Sequence, residues 1–144
     1  MILSRSSEYA IRLIFYLLEK QPLSELVRIK VAAEELGVPY FQLAKVVNTL
    51  KSESVLTSLT GPSGGIDLAH RVESMTLLDI IRIFGDSEVL ESCILGLQTC
   101  SSDNPCPIHD VWKDVKDEIK EIFANKTLRQ LEKDEVLPHI LSSS

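Results

Sequence analysis

The sequence predicts a mainly α-helical fold carrying one small β-hairpin. Apolar residues recur at helical spacing along most of the chain, and the pattern changes to strands only around residues 55–69, on either side of a glycine-rich turn. The chain has 144 residues, 44% of them apolar and 25% charged, which suffices for one core and excludes a multidomain enzyme.

Ser6 and Ser7 can cap a first helix, in which Ala10, Leu13, Ile14, Leu17 and Leu18 form a core stripe until Gln21-Pro22 stops it. A second, short segment runs from Val31 to Leu36 and ends at Gly37, the residue best suited to the left-handed conformation after a helix. Pro39 is tolerated in a first helical turn, and Leu43, Val46, Val47 and Leu50 mark one face of a third helix reaching about Ser52. Two short helices joined by a glycine-containing turn read as a helix-turn-helix. Strand-like runs Val55–Thr60 and Ile66–Ala69 then flank the turn Gly61-Pro62-Ser63-Gly64-Gly65, giving the order of a winged helix. Thr76 with Asp79 starts a fourth helix containing Leu77, Ile80, Ile81 and Phe84. Residues 86–106 read as irregular and hold all three cysteines. A long helix resumes near Pro107, with Ile108, Val111, Trp112, Val115, Ile119, Ile122 and Phe123 on one stripe. The only low-complexity stretch is the tail Ser142–Ser144.

Charge divides the chain. The net charge of -6 first argues against a nucleic-acid partner, but residues 1–72 hold 8 basic and 7 acidic side chains, whereas residues 73–144 hold 7 and 14. The expected organisation is a winged helix-turn-helix DNA-binding domain over 1–72 and a cysteine-loop sensor and dimerisation region over 73–144. No segment approaches the roughly 18 apolar residues of a membrane span; Ile11–Leu18 contains Arg12 and stops at Glu19-Lys20, without a small-residue cleavage site. A cytoplasmic protein with no membrane partner is expected.

A helix-turn-helix places the N-terminal part of its second helix in the DNA major groove. Tyr40, Gln42, Lys45, Asn48 and Lys51 lie off the apolar stripe of that helix and can meet base edges and phosphates. Arg5, Arg28, Lys30 and Arg71 add phosphate-binding charge, and Ser63 and Gly64 at the hairpin tip allow close backbone approach. The plainer alternative is a three-helix core with a solvated polar face; the adjoining wing favours DNA. The turn also matches G-x-S-x-G, but strands on both sides exclude the strand-to-helix elbow of a serine hydrolase. No Lys-Ser or Lys-Thr pair completes a phosphate-binding Walker loop.

The most specific pattern is Cys93-x6-Cys100-x5-Cys106-x2-His109. Three thiolates and an imidazole can converge on one centre, and that soft donor set suits an iron–sulfur cluster or zinc. Three cysteines exclude an even disulfide framework. Their clustering on a polar loop argues against three ordinary buried thiols, while one disulfide or a reactive thiol switch is a stronger rival. A small thiol redox enzyme is disfavoured because no Cys-x-x-Cys pair occurs. The stripe Val111, Trp112, Val115, Ile119, Ile122 and Phe123 has little else to cover it, which points to a homodimer able to read a two-fold symmetric site.

Together these residues resemble the Rrf-two family, winged-helix regulators of the IscR and NsrR type. The resemblance runs from Met1 to about Leu137 and is carried by Leu3-Ser4 with Glu8-Tyr9-Ala10-Ile11-Arg12, by Gly37-Val38 and Lys45–Leu50, by Gly61–Gly65 with Leu68-Ala69, by the three cysteines, and by Trp112 with Thr127-Leu128. It implies a homodimeric transcription factor whose iron–sulfur cluster changes its affinity for a double-stranded DNA operator. It also implies Cys93, Cys100 and Cys106 as ligands. His109 matches the fourth ligand of IscR-like members, and Glu8 falls where NsrR-like members use an acidic residue of the partner subunit; the fourth ligand stays open between them, and a 2Fe-2S cluster is slightly preferred over 4Fe-4S. Three positions depart from the family pattern: Thr60 stands where the wing usually carries Arg, and Glu53-Ser54 replaces the usual Ala-Gly.

Overall fold

The computed structural model describes residues 3–22 and 25–133; the Ser142–Ser144 tail lies outside them. Helix α1 spans Arg5–Glu19. Its cap is Ser4, whose Oγ accepts the Ser7 N–H at 3.2 Å, while Ser7 is buried. The expected caps, Ser6 and Ser7, lie inside the first turn because a distant partner fixes the start: Ser4 donates through N–H (2.9 Å) and Oγ (2.8 Å) to Asp86 Oδ2.

Helix α2 (Ile29–Leu36) begins before the expected Val31 and ends at Gly37, at φ 67° and ψ 34°. Gly37 bonds back to the Ala33 and Glu34 carbonyls, and Arg12 Nη2 on α1 donates to Leu36 O at 2.5 Å. These bonds satisfy carbonyls that the helix end leaves free. Helix α3 (Tyr40–Ser52) follows Pro39 and buries Leu43, Val46, Val47 and Leu50. It closes with Ser54 in the left-handed region, φ 60°, with Ser54 N–H on Lys51 O (3.0 Å) and Val55 N–H on Leu50 O (2.8 Å).

Strands β1 (Leu56–Leu59) and β2 (Gly65–Leu68) pair antiparallel, Leu56 opposite Leu68 and Leu59 opposite Gly65. The hairpin is anchored to the chain before α2, where Val27 and Ile66 exchange backbone bonds of 3.1 and 2.7 Å. A 3-10 turn, His70–Ser74, leads to α4 (Leu77–Ile83), which starts with the expected Thr76–Asp79 capping box. The cysteine segment is less irregular than its sequence predicts: Glu88–Glu91 forms a short helix, α5, around fully buried Leu90. Helices α6 (His109–Ala124) and α7 (Leu128–Lys133) follow.

The main core joins α1, α2, α3 and the hairpin, and takes Val72, Met75, Ile80 and Leu128 from further along the chain. A second cluster, Leu78, Ile81 and Leu90, is covered by Leu3, Ile11, Val89, Ile119 and Phe123. This divides the α6 stripe. Ile119 and Phe123, expected in a subunit interface, are half-buried and pack within the chain against α4 and α5. Val111, Val115 and Ile122 remain exposed, and half-buried Trp112 donates its indole N–H to Ser92 O at 3.0 Å. Among the described residues, no helix is long and apolar enough to cross a membrane.

Candidate nucleic-acid interface and cysteine centre

The buried stripe of α3 seats that helix on α1 and α2 and turns its other side outward. Between α3 and the hairpin lies a cleft of ≈ 430 Å³, lined by Arg28, Lys30, Tyr40, Asn48 and Lys51, with Gly64 from the wing. The structure therefore gathers six of the sequence-predicted nucleic-acid contacts around one space. Ser63 lines a neighbouring cleft of ≈ 450 Å³ with Arg28 and Gly64. Gln42 and Lys45 are exposed on α3 outside the cleft lining, and Arg5 is exposed at the start of α1.

Two of the cations carry structural duties as well. Arg28 Nη2 donates to Pro62 O and, at 3.4 Å, to Gly61 O, which ties the wing tip to the start of α2. Arg71 donates to Glu53 O and lies 3.9 Å from the Glu53 carboxylate, so it secures the end of α3. Sequence patterning also passed over Phe41, which is 81% exposed on the first turn of α3. An apolar residue outside the helical stripe was the available signal.

The cysteine loop is a series of tight turns that bring distant thiols together. Gly96 N–H bonds to Cys93 O (2.9 Å), Cys100 N–H to Leu97 O (3.2 Å), and His109 N–H to Cys106 O (3.1 Å). Asn104 Nδ2 closes the middle of the loop on Thr99 O at 3.2 Å. The three Sγ atoms consequently lie within 4.8 Å of one another, all half-buried, with Cys93 and Cys106 3.7 Å apart. His109 Nδ1 is 3.3 Å from Cys100 Sγ but is not part of the set that closes within 4.8 Å. Glu8 lies in the first turn of α1, also outside that set.

Backbone N–H groups shape the thiols' acidity. The N–H of Leu97, with that of Leu95, pulls the Cys93 thiol down to about 7 despite desolvation, whereas burial pushes the Cys106 thiol up. Three convergent sulfurs with an adjoining imidazole fit a soft metal ion or a cluster.

A helix-turn-helix with a hairpin wing and a basic cleft between them defines a winged-helix transcriptional regulator. The chain belongs to the Rrf2 (Rrf-two) family, described as an iron-dependent transcriptional regulator, whose profile matches residues 3–134. Members of this family are DNA-binding regulators rather than enzymes. A protein of Aquifex aeolicus assigned as an HTH-type transcriptional regulator is 35% identical over 133 residues, 91% of each chain. The solved structure of T. potens IscR superposes with a TM-score of 0.70 at 25% identity, covering 92% of this chain and 87% of that one. The oxidized form of Staphylococcus aureus CymR has the same fold, with a TM-score of 0.69 at 24% identity, covering 92% and 97%.

Proposed function

We propose that the chain is a cytoplasmic, homodimeric regulator whose affinity for a double-stranded DNA operator is set by an iron–sulfur cluster. Cys93, Cys100 and Cys106 would hold the cluster, with His109 or Glu8 of the partner subunit as the fourth ligand. The observation that carries this reading is the closure of three thiol sulfurs within 4.8 Å beside an imidazole. When bound, a cluster supplies one-electron redox chemistry and reactivity toward nitric oxide.

The chain's own residues connect that loop to the DNA-facing half. Trp112 holds Ser92 O beside Cys93, and Lys120 pairs with Glu91 at 3.1 Å, so the segment entering the loop is fastened to α6. Helix α6 packs on α4, α4 on α1, and α1 on α3. Ser4 adds a direct tie from the start of α1 to Asp86. In this reading residues 1–72 are the reading head and the remainder is sensor and dimer region. A change in the loop shifts α1 against α6 and so changes the separation of the two α3 helices.

Anaerobic purification, visible absorption and iron and sulfide content test the cofactor, with His109→Ala and Glu8→Ala in parallel. A coloured protein is expected. Loss of the spectrum in only one variant identifies the fourth ligand. A colourless chain that takes up no iron on reconstitution overturns the reading.

A second reading is a thiol switch, favoured by the 3.7 Å approach of Cys93 and Cys106 and by the low pKa of Cys93. It predicts oxidant-sensitive thiols without metal, whereas stoichiometric zinc would identify the centre as a zinc site. Thiol counting beside metal analysis separates the three.

A further inference from the structure

Phe41 is 81% exposed although it lies on a helix with a well-filled core face. It sits in the first turn of the second helix of the helix-turn-helix, the part of such helices that meets base edges. At i, i+4 and i+7 it shares one face of α3 with Lys45 and Asn48, both exposed. Tyr40 packs against it edge-on, ring centroids 5.5 Å apart with an interplanar angle of 77°. That contact limits where the Phe41 ring can go. Tyr40 also lines the basic cleft, together with Arg28, Lys30 and Lys51. The ring is thus an exposed apolar knob in contact with a residue of the basic cleft. A second copy of the chain would bring like charges together there, while a duplex brings phosphates to the cations and an apolar base substituent to the ring.

We propose that Phe41 is a specificity-determining residue that packs on the 5-methyl group of a thymine in the major groove, with Tyr40 as its positioning residue. In the major groove the thymine methyl is the apolar mark that an aromatic side chain reads, and it distinguishes T from C at the same edge. Lys45 and Asn48, one and two turns further along the face, meet the phosphates and polar edges that follow. The inference rests on the DNA-binding reading and assigns one side chain's part in it.

The test uses the full-length chain in cluster-loaded and chelator-stripped preparations, each allowed to enrich duplexes from a random library. In the enriched sequence each thymine is replaced in turn by deoxyuridine, which keeps every hydrogen-bonding atom and lacks the methyl. One thymine per bound subunit should be sensitive, its replacement weakening binding about fourfold, the worth of one buried methyl. Phe41→Ala should lose a similar factor on the thymine duplex and should no longer distinguish thymine from deoxyuridine. Its thermal midpoint should match the parent's, since the ring is exposed. Lys45→Ala should weaken all duplexes alike, lower the salt dependence by about one charge and keep the discrimination. The inference is overturned if the parent is indifferent to every replacement, if Phe41→Ala still discriminates, or if that variant changes oligomeric state instead. Salt-dependent duplex binding in neither preparation would overturn the DNA-binding reading itself.

Discussion

Ser54 is the residue at which sequence and backbone disagree most. The turn that ends α3 needs a left-handed residue, and Ser54 supplies φ 60° with both closing hydrogen bonds in place. A Cβ in that region costs about 1 kcal/mol that glycine avoids. Ser54→Gly should therefore raise the unfolding free energy by about 1 kcal/mol in urea titration, with unchanged slope. Gly65 is the opposite case. At φ 151°, a Cβ there would lie 2.6 Å from Val27 O, inside the bridge that anchors the wing. Gly65→Ala should cost about 2 kcal/mol and loosen the hairpin, read as faster amide exchange at Ile66. Equal stability of parent and variant would contradict the close approach.

At the scale of elements, Asp86 joins the start of α1 to the turn before α5 across 82 positions. Burial alone would raise its carboxyl, but the Ser7 hydroxyl beside it and the two Ser4 bonds hold it below the usual carboxylate range. Its contribution is therefore fully present above the ordinary aspartate pKa of about 3.9 and is lost as pH falls through the lower folded value. Ser4→Ala should lower stability at pH 6 by about 1 kcal/mol, the worth of a helix cap. The loss should shrink by pH 3, as urea midpoints at both values would show; a loss independent of pH would place the contribution in the cap alone. Ser4 also marks what the sequence left hidden. Helices α1 to α4, the wing, the Thr76–Asp79 box and Gly37 were legible because periodicity, capping pairs and turn residues are local signals. The true cap of α1, the short α5 and the division of the α6 stripe depend on partners far along the chain: Asp86 for Ser4, the second core cluster for Leu90, Ile119 and Phe123. The cysteine spacing announced a convergent site, and local turns deliver it. Arg28 and Arg71 read as free cations because their carbonyl partners become neighbours only on folding.

For the whole molecule, the unresolved demand is the outer face of α6. The helix carries no fully buried residue, and Val111 (69% exposed), Val115 (40%) and Ile122 (65%) continue the stripe whose inner members fill the second core cluster. A face divided in this way can hold its own chain with one edge and a second copy with the other. The charge distribution suits the proposed dimer, in which the nearly neutral residues 1–72 of each copy would face the operator and the acidic excess lies in the sequence of residues 73–144. Pairing joins two weak DNA contacts into one bivalent contact, which raises affinity by a factor of about 100 or more when the geometry matches. Val115→Glu with Ile122→Glu places two carboxylates on the exposed edge and leaves Ile119 and Phe123 untouched. The double variant should keep the parent's far-ultraviolet circular dichroism, sediment as a monomer and lose about two orders of magnitude in operator affinity. The same loss from a variant that remains dimeric would assign α6 to DNA contact instead. A variant that is monomeric yet binds as tightly as the parent would remove the need for two reading heads altogether.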